Sequence, residues 1–140
     1  MVAAFVSCEN IDAPWAAAFV GHVRVSGFRV EHSPRNPAYG PDERWQDWYQ
    51  SGLSAALDSA EYFVIVLTRG WESSTWMGEE SQVAEKRVAD GRLRGMYYFD
   101  PEHVVDRGIA AGMRTYLRIR LPDTPQEAAA YLKALREATS

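Results

Sequence analysis

The chain contains one cysteine, Cys8. A single thiol excludes an internal disulfide and a cysteine-built zinc cage. His22, His32 and His103 are widely separated, and none falls in metal-ligand spacing. The longest apolar run, Tyr62 to Leu67, falls far short of the roughly 20 residues a membrane-spanning helix needs. There is no long Lys/Arg tract and the net charge is −4, so neither nucleic acid nor an anionic membrane is an expected partner. The first residues, Met-Val-Ala-Ala-Phe, lack the basic region of a secretory signal. No GxGxxG or P-loop pattern occurs, which argues against a dinucleotide held as a redox cofactor. Internal repeats and low-complexity tracts are also missing. These absences together fit a cytoplasmic protein in a reducing compartment.

What is present fits one globular domain, residues 1–140. Hydrophobic residues make up 46% and charged residues 24% of the chain, enough for an ordinary core. Apolar runs alternate with amphipathic segments, the pattern of a parallel sheet covered by helices. Strands are expected at Val2–Ser7, Phe28–Glu31, Tyr62–Leu67, Met96–Phe99 and Tyr116–Ile119. The third is apolar throughout, as a central strand buried on both faces must be. Helices are expected at Ala13–Val25, Trp45–Leu57, Thr75–Ala89, Glu102–Ala111 and Pro125–Glu137. Asp12 is the expected cap of the first, with Pro14 in its first turn and Gly27 as its terminator. Trp15, Phe19 and Val23 would be its core face. Ser33 to Arg44 holds three prolines and reads as a long loop, a length often tied to function.

Five such units most often wind as a flavodoxin-like α/β three-layer sandwich, a five-stranded parallel sheet in the order 2-1-3-4-5. The winding reverses between strands one and three, and a crevice opens there at their carboxyl ends. The segments Ser7 to Asp12 and Thr68 to Thr75 flank that crevice.

Placed on a helical wheel at about 100° per residue, Trp76, Met77, Val83, Ala84 and Val88 of the third-strand helix share one side. Glu80 falls near the middle of that side, while Glu79 lies at its margin and Gln82 and Glu85 face away. A carboxylate aimed inward is costly unless it has partners or a task. Glu80 also lies in the first turn or two, where the helix dipole favours negative charge. Two readings are open: a dipole or ion-pair partner, and a site that needs an ionised acid. Arg87 shares the inward side and could supply a counter-charge.

These residues resemble the Toll/interleukin-1 receptor (TIR) domain family. Ala4-Phe5-Val6-Ser7-Cys8 looks like the family's first-strand box. Asp12-Ala-Pro-Trp15 and Gly27-Phe-Arg-Val30 follow in family order. Val64-Ile-Val-Leu-Thr-Arg-Gly-Trp-Glu-Ser-Ser-Thr-Trp-Met-Gly-Glu-Glu80 resembles the family run of strand, Ser/Thr, aromatic, then Ser, Trp and Glu. The likeness covers about the first 90 residues. In enzymatic members, Trp-x-x-x-Glu carries the catalytic glutamate, which maps here onto Trp76 and Glu80.

The resemblance implies cleavage of the nicotinamide–ribose bond of NAD, with NAD as substrate and no cofactor or metal. Most glycosidases need two carboxylates because an alkoxide leaving group must be protonated. Nicotinamide leaves a charged pyridinium as a neutral molecule, so one carboxylate can suffice. Glu80 would stabilise the oxocarbenium ion. Trp76 and Trp48 or Tyr49 would form a stacking wall, and Ser7, Cys8 and Glu9 would bind the polar part of the substrate. Many active members carry an aromatic and a basic residue where this chain has Cys8 and Glu9. Water would give ADP-ribose, and attack by the adenine a cyclic product.

Self-assembly or pairing with other TIR domains, and a separate sensor or effector protein in antiphage defence, are further implications of the resemblance. The main alternative is a non-catalytic TIR interaction module. A response-regulator receiver domain would need Asp and Lys where Thr68 and Arg120 stand. A nucleoside deoxyribosyltransferase, which also uses a Glu on such a sheet, is separated by its substrate.

Overall fold

The computed structural model describes residues 2–33, 52–69, 75–106 and 115–139. Its elements are β1 (Ala3–Cys8), α1 (Pro14–Val25), β2 (Arg29–His32), α2 (Ser54–Ser59), β3 (Tyr62–Val66), α3 (Thr75–Ala89), β4 (Gly95–Phe99), β5 (Ile119–Arg120) and α4 (Pro125–Thr139). The strands form one sheet in the order β2-β1-β3-β4-β5, and every pairing is parallel. This is the expected flavodoxin-like winding.

Alternation along each strand divides the core into two layers. On one face, Ala4, Val6 and Cys8 of β1 and Tyr62, Val64 and Val66 of β3 pack with Phe19 and Val23 of α1 and Ala128 and Leu132 of α4. On the other, Ala3, Phe5, Phe63, Ile65 and Met96 pack with Leu57 of α2 and with Met77 and Ala84 of α3. All of β1 and β3 is buried. Double cover explains why β3 reads as an unbroken apolar run and β1 as one interrupted only by Ser7. Among the described residues no helix is long and apolar enough to cross a membrane.

The structure corrects several details. Asp12 does not cap α1: the cap position is Ala13, which makes no side-chain capping bond, and Pro14 opens the helix. The turn before it is closed by Asn10, whose Oδ1 accepts the Asp12 N–H at 3.0 Å. Trp15 is 40% exposed and stands outside the α1 core face. The expected helix from Glu102 does not begin there, because residues 101–106 are turns. His103 takes φ 54°, the left-handed region, which an α-helix does not admit. Asp100 instead collects the Val104 and Val105 N–H groups at 2.9 and 3.0 Å. The last strand lies later than expected and is only two residues long, pairing Ile119 with Tyr97 and Arg120 with Tyr98.

Gly27 ends α1 at φ 94°, a conformation open to glycine at little cost. Arg136 of α4 then closes the helix end, donating to the Gly27 and Ser26 carbonyls at 3.0 and 3.1 Å.

Candidate functional site

The carboxyl ends of β1 and β3 meet at the reversal point of the winding, where Ser7 pairs with Ile65 and Cys8 with Val66. Ser7 shares its face with Ile65 and so points toward α2 and α3. On α3 the buried positions are Met77, Glu80, Ser81, Ala84 and Arg87, whereas Glu79 and Gln82 are exposed. Glu80 lies three residues after Met77 and four before Ala84. Helical periodicity therefore turns it into the sheet with them, and it has no exposed surface.

Two of its partners are serine hydroxyls. Ser7 Oγ donates to Glu80 Oε1 at 2.7 Å. Ser33, directly after β2, donates to the same oxygen at 2.7 Å. Moving a carboxylate out of water costs several kcal/mol. Hydrogen bonds to a charged group return about 1.5–3 kcal/mol each, so two are of the size required. A helix N-terminus contributes only about 0.3–1 kcal/mol and fades after the first turn. The first turn of α3 contains no acid, and Glu80 is in the second. Of these two contributions to a carboxylate here, the hydroxyl donors are the larger.

Arg87 is not the counter-charge of Glu80. It is 9% exposed and pairs with Asp58 of α2. Cys8 lies on the opposite face of the sheet, where its thiol packs in the α1/α4 layer. Burial first, then the charges of Glu80, Glu9 and Asp12, pushes that thiol far above the ordinary cysteine range. It is neither a nucleophile at neutral pH nor a side chain aimed at the Glu80 face. Its backbone N–H reaches that side and donates to Ser33 Oγ at 3.0 Å. Glu9 is half-buried at the end of β1. The expected wall residues Trp48 and Tyr49, and the side chain of Trp76, lie outside the described residues.

Ser33 was not among the expected site residues. It stands at the start of a proline-rich stretch, where a serine reads as loop, and its partner is 47 positions away. The available signal was topological: a polar residue at the carboxyl end of a strand beside β1 borders the crevice.

A second polar cluster lies at the ends of β4 and β5. Arg120 reaches Asp106 at 3.2 Å, Asp123 at 3.3 Å and the buried Asp100 at 3.9 Å. The His103 bond first, and then Arg120, holds the Asp106 carboxyl below its usual range. With three acids around it, Arg120 has no spare charge for a phosphate, and the cluster reads as structural. A surface cleft of about 570 Å³ beside it, lined by Arg120 to Thr124, Glu127 and Tyr131, shares no residue with the Glu80 cluster. No group of three His, Cys, Asp or Glu side chains among the described residues is arranged to hold a metal.

No family model matches the chain. No curated protein matches it either. Among solved structures it is similar to the TIR domains of the activated Roq1 resistosome, which directly recognises the pathogen effector XopQ. The match has a TM-score of 0.53 and 16% identity, and covers 96% of this chain and 84% of that one. The chain therefore has the fold of a TIR domain.

Proposed function

We propose, with that fold as the premise, that this domain cleaves the nicotinamide–ribose bond of NAD and that the Glu80 carboxylate stabilises the transition state. The observation that carries the reading is the placement of Glu80. It is a wholly buried acid at the carboxyl ends of the two central strands, and Ser7 and Ser33 both donate to one of its oxygens. An ionised carboxylate at that place can be set against a developing cation.

In the reaction the C1′–N bond of the nicotinamide riboside breaks, and its electron pair passes to the pyridinium nitrogen. Nicotinamide departs neutral and needs no general acid. Positive charge appears on the ribose ring, where an anion stabilises the transition state more than the ground state. Water adds to C1′ and releases a proton, giving ADP-ribose; the adenine in place of water gives the cyclic product. In this reading Trp76 and Trp48 or Tyr49 form the stacking wall, and Glu9 and the backbone after β1 meet polar groups of the substrate. Ser7 spends its proton on Glu80 and can offer the substrate only lone pairs.

Because Glu80 has no exposed surface, NAD reaches it only when the structure over the strand ends opens. Self-assembly is the proposed trigger, supported by the similar TIR domains belonging to an activated resistosome. A separate sensor or effector protein in immune signalling, in a cytoplasmic setting, belongs to the same reading. The same burial also supports a second one, a non-catalytic TIR interaction module in which Glu80 is structural. Mass spectrometry of NAD incubated with rising concentrations of the protein separates them. Nicotinamide with ADP-ribose or its cyclic isomer is the expected outcome. Intact NAD at every concentration, crowded conditions included, supports the interaction module.

A further inference from the structure

We infer that Ser33 is a positioning residue for Glu80, fixing the orientation of the carboxylate and favouring its ionised form; this rests on the NAD-cleaving reading above. Ser33 is wholly buried. Its backbone is pinned to β1, with its N–H donated to Val6 O at 3.1 Å. Its carbonyl lies 2.6 Å from His32 Nδ1. A carbonyl can only accept, so that ring nitrogen carries the proton.

The direction of the Ser33 hydroxyl follows from its neighbours. Oγ accepts the Cys8 N–H at 3.0 Å, and a backbone N–H cannot accept in return. The hydroxyl proton is therefore left for Glu80 Oε1 at 2.7 Å. The chain runs one way, from the Cys8 amide through Ser33 to the carboxylate. Donors linked in series polarise one another.

Ser7 donates to that same oxygen. A carboxylate oxygen has two lone-pair directions, and both on Oε1 are filled by serines. The two serines act from different strands, β1 and the end of β2, so the carboxylate is fixed against rotation. Among the described residues, the other titratable groups near these strand ends and on the adjacent turn of α3 are the Cys8 thiol, Glu9, Asp12, His32 and Glu79. Three of the five are acids, and acids work against ionisation of Glu80. Donation by Ser33 opposes them.

The test is the titration of the Glu80 side-chain carboxyl in the full chain, followed by ¹³C NMR and assigned with Glu80→Gln. Ser33→Ala should move it upward by about one pH unit, a roughly tenfold rise in proton affinity. Ser33→Cys, close in size but a weak donor, should move it upward by less. The acid limb of kcat for nicotinamide release should shift with it, so that the Ala variant loses turnover on the acid side and keeps most of it on the alkaline side. A purely structural role would lower kcat evenly across pH. Should the Ala variant not fold, the Cys variant decides.

A titration that coincides with wild type in a folded variant overturns the inference, even if NAD is cleaved. A shifted titration in a protein that never cleaves NAD keeps the positioning and removes the NAD reading.

Discussion

Ser7 Oγ lies 2.7 Å from Glu80 Oε1, a bond that joins residues 73 positions apart and ties β1 to α3 at the point where the winding reverses. Both groups are wholly buried, so the bond holds the fold and positions the carboxylate. Ser7→Ala should cost about 2 kcal/mol in urea unfolding, the value of a buried hydrogen bond to a charged group. It should also slow nicotinamide release by roughly tenfold or more, because a loosened carboxylate is a misplaced one. A stability loss with unchanged turnover would assign Ser7 to the fold alone.

Cys8 leads to a pH effect. Its native thiol is held far above the usual range by burial and by three neighbouring acids, while in the unfolded chain it ionises near about 8.5. The native state therefore keeps a proton that the unfolded state loses. Stability is fully present below about pH 8.5 and falls as pH rises beyond it, by up to about 1.4 kcal/mol per unit for one proton. Urea midpoints at pH 7.5 and 9.5 should show this fall, and Cys8→Ala should reduce it. An equal fall in both proteins would show that the thiol does not contribute.

The Gly27 turn is a check on the other layer. A Cβ there would meet a φ of 94° and lie 3.1 Å from Arg136 Nη1. Gly27→Ala should therefore destabilise by about 1–2 kcal/mol. Nicotinamide release per folded molecule should not change, because this turn lies at the far end of α1 from the Glu80 cluster. A thermal melt and an assay on the soluble fraction test both parts.

Asp100 replaces the helix expected after β4. Its two oxygens collect the Val104 and Val105 amides. Asp100→Ala leaves both donors without their carboxylate, and a loss of about 2–3 kcal/mol is expected. Asp100→Asn keeps one acceptor oxygen and should lose less. Equal losses for the two variants would mean that the Arg120 contact at 3.9 Å, and not the amides, is what matters.

The parts of this molecule legible in its sequence are those fixed by periodicity. Tyr62–Val66 reads as a doubly covered strand because every residue in it is buried. Glu80 reads as inward because Met77 and Ala84, three and four positions away, are inward too. Features set by single side chains acting over distance left no periodic trace. Ser33 looks like loop until the fold brings α3 to it. The Asn10 turn that replaces an Asp12 cap, and the left-handed His103 that blocks a helix, depend on local hydrogen bonds that several polar residues could make. Arg87 fell on the inward side of the wheel, but only the position of α2 shows that Asp58 claims it.

The most direct measurement is the rate of nicotinamide release from NAD by the wild type and by Glu80→Gln, each shown to be folded by circular dichroism. Gln keeps an acceptor for the two serines and removes the charge. The account predicts that release falls by about a hundredfold or more, the scale of losing one preorganised electrostatic contact to the transition state. Release at the wild-type rate from the folded variant would contradict it.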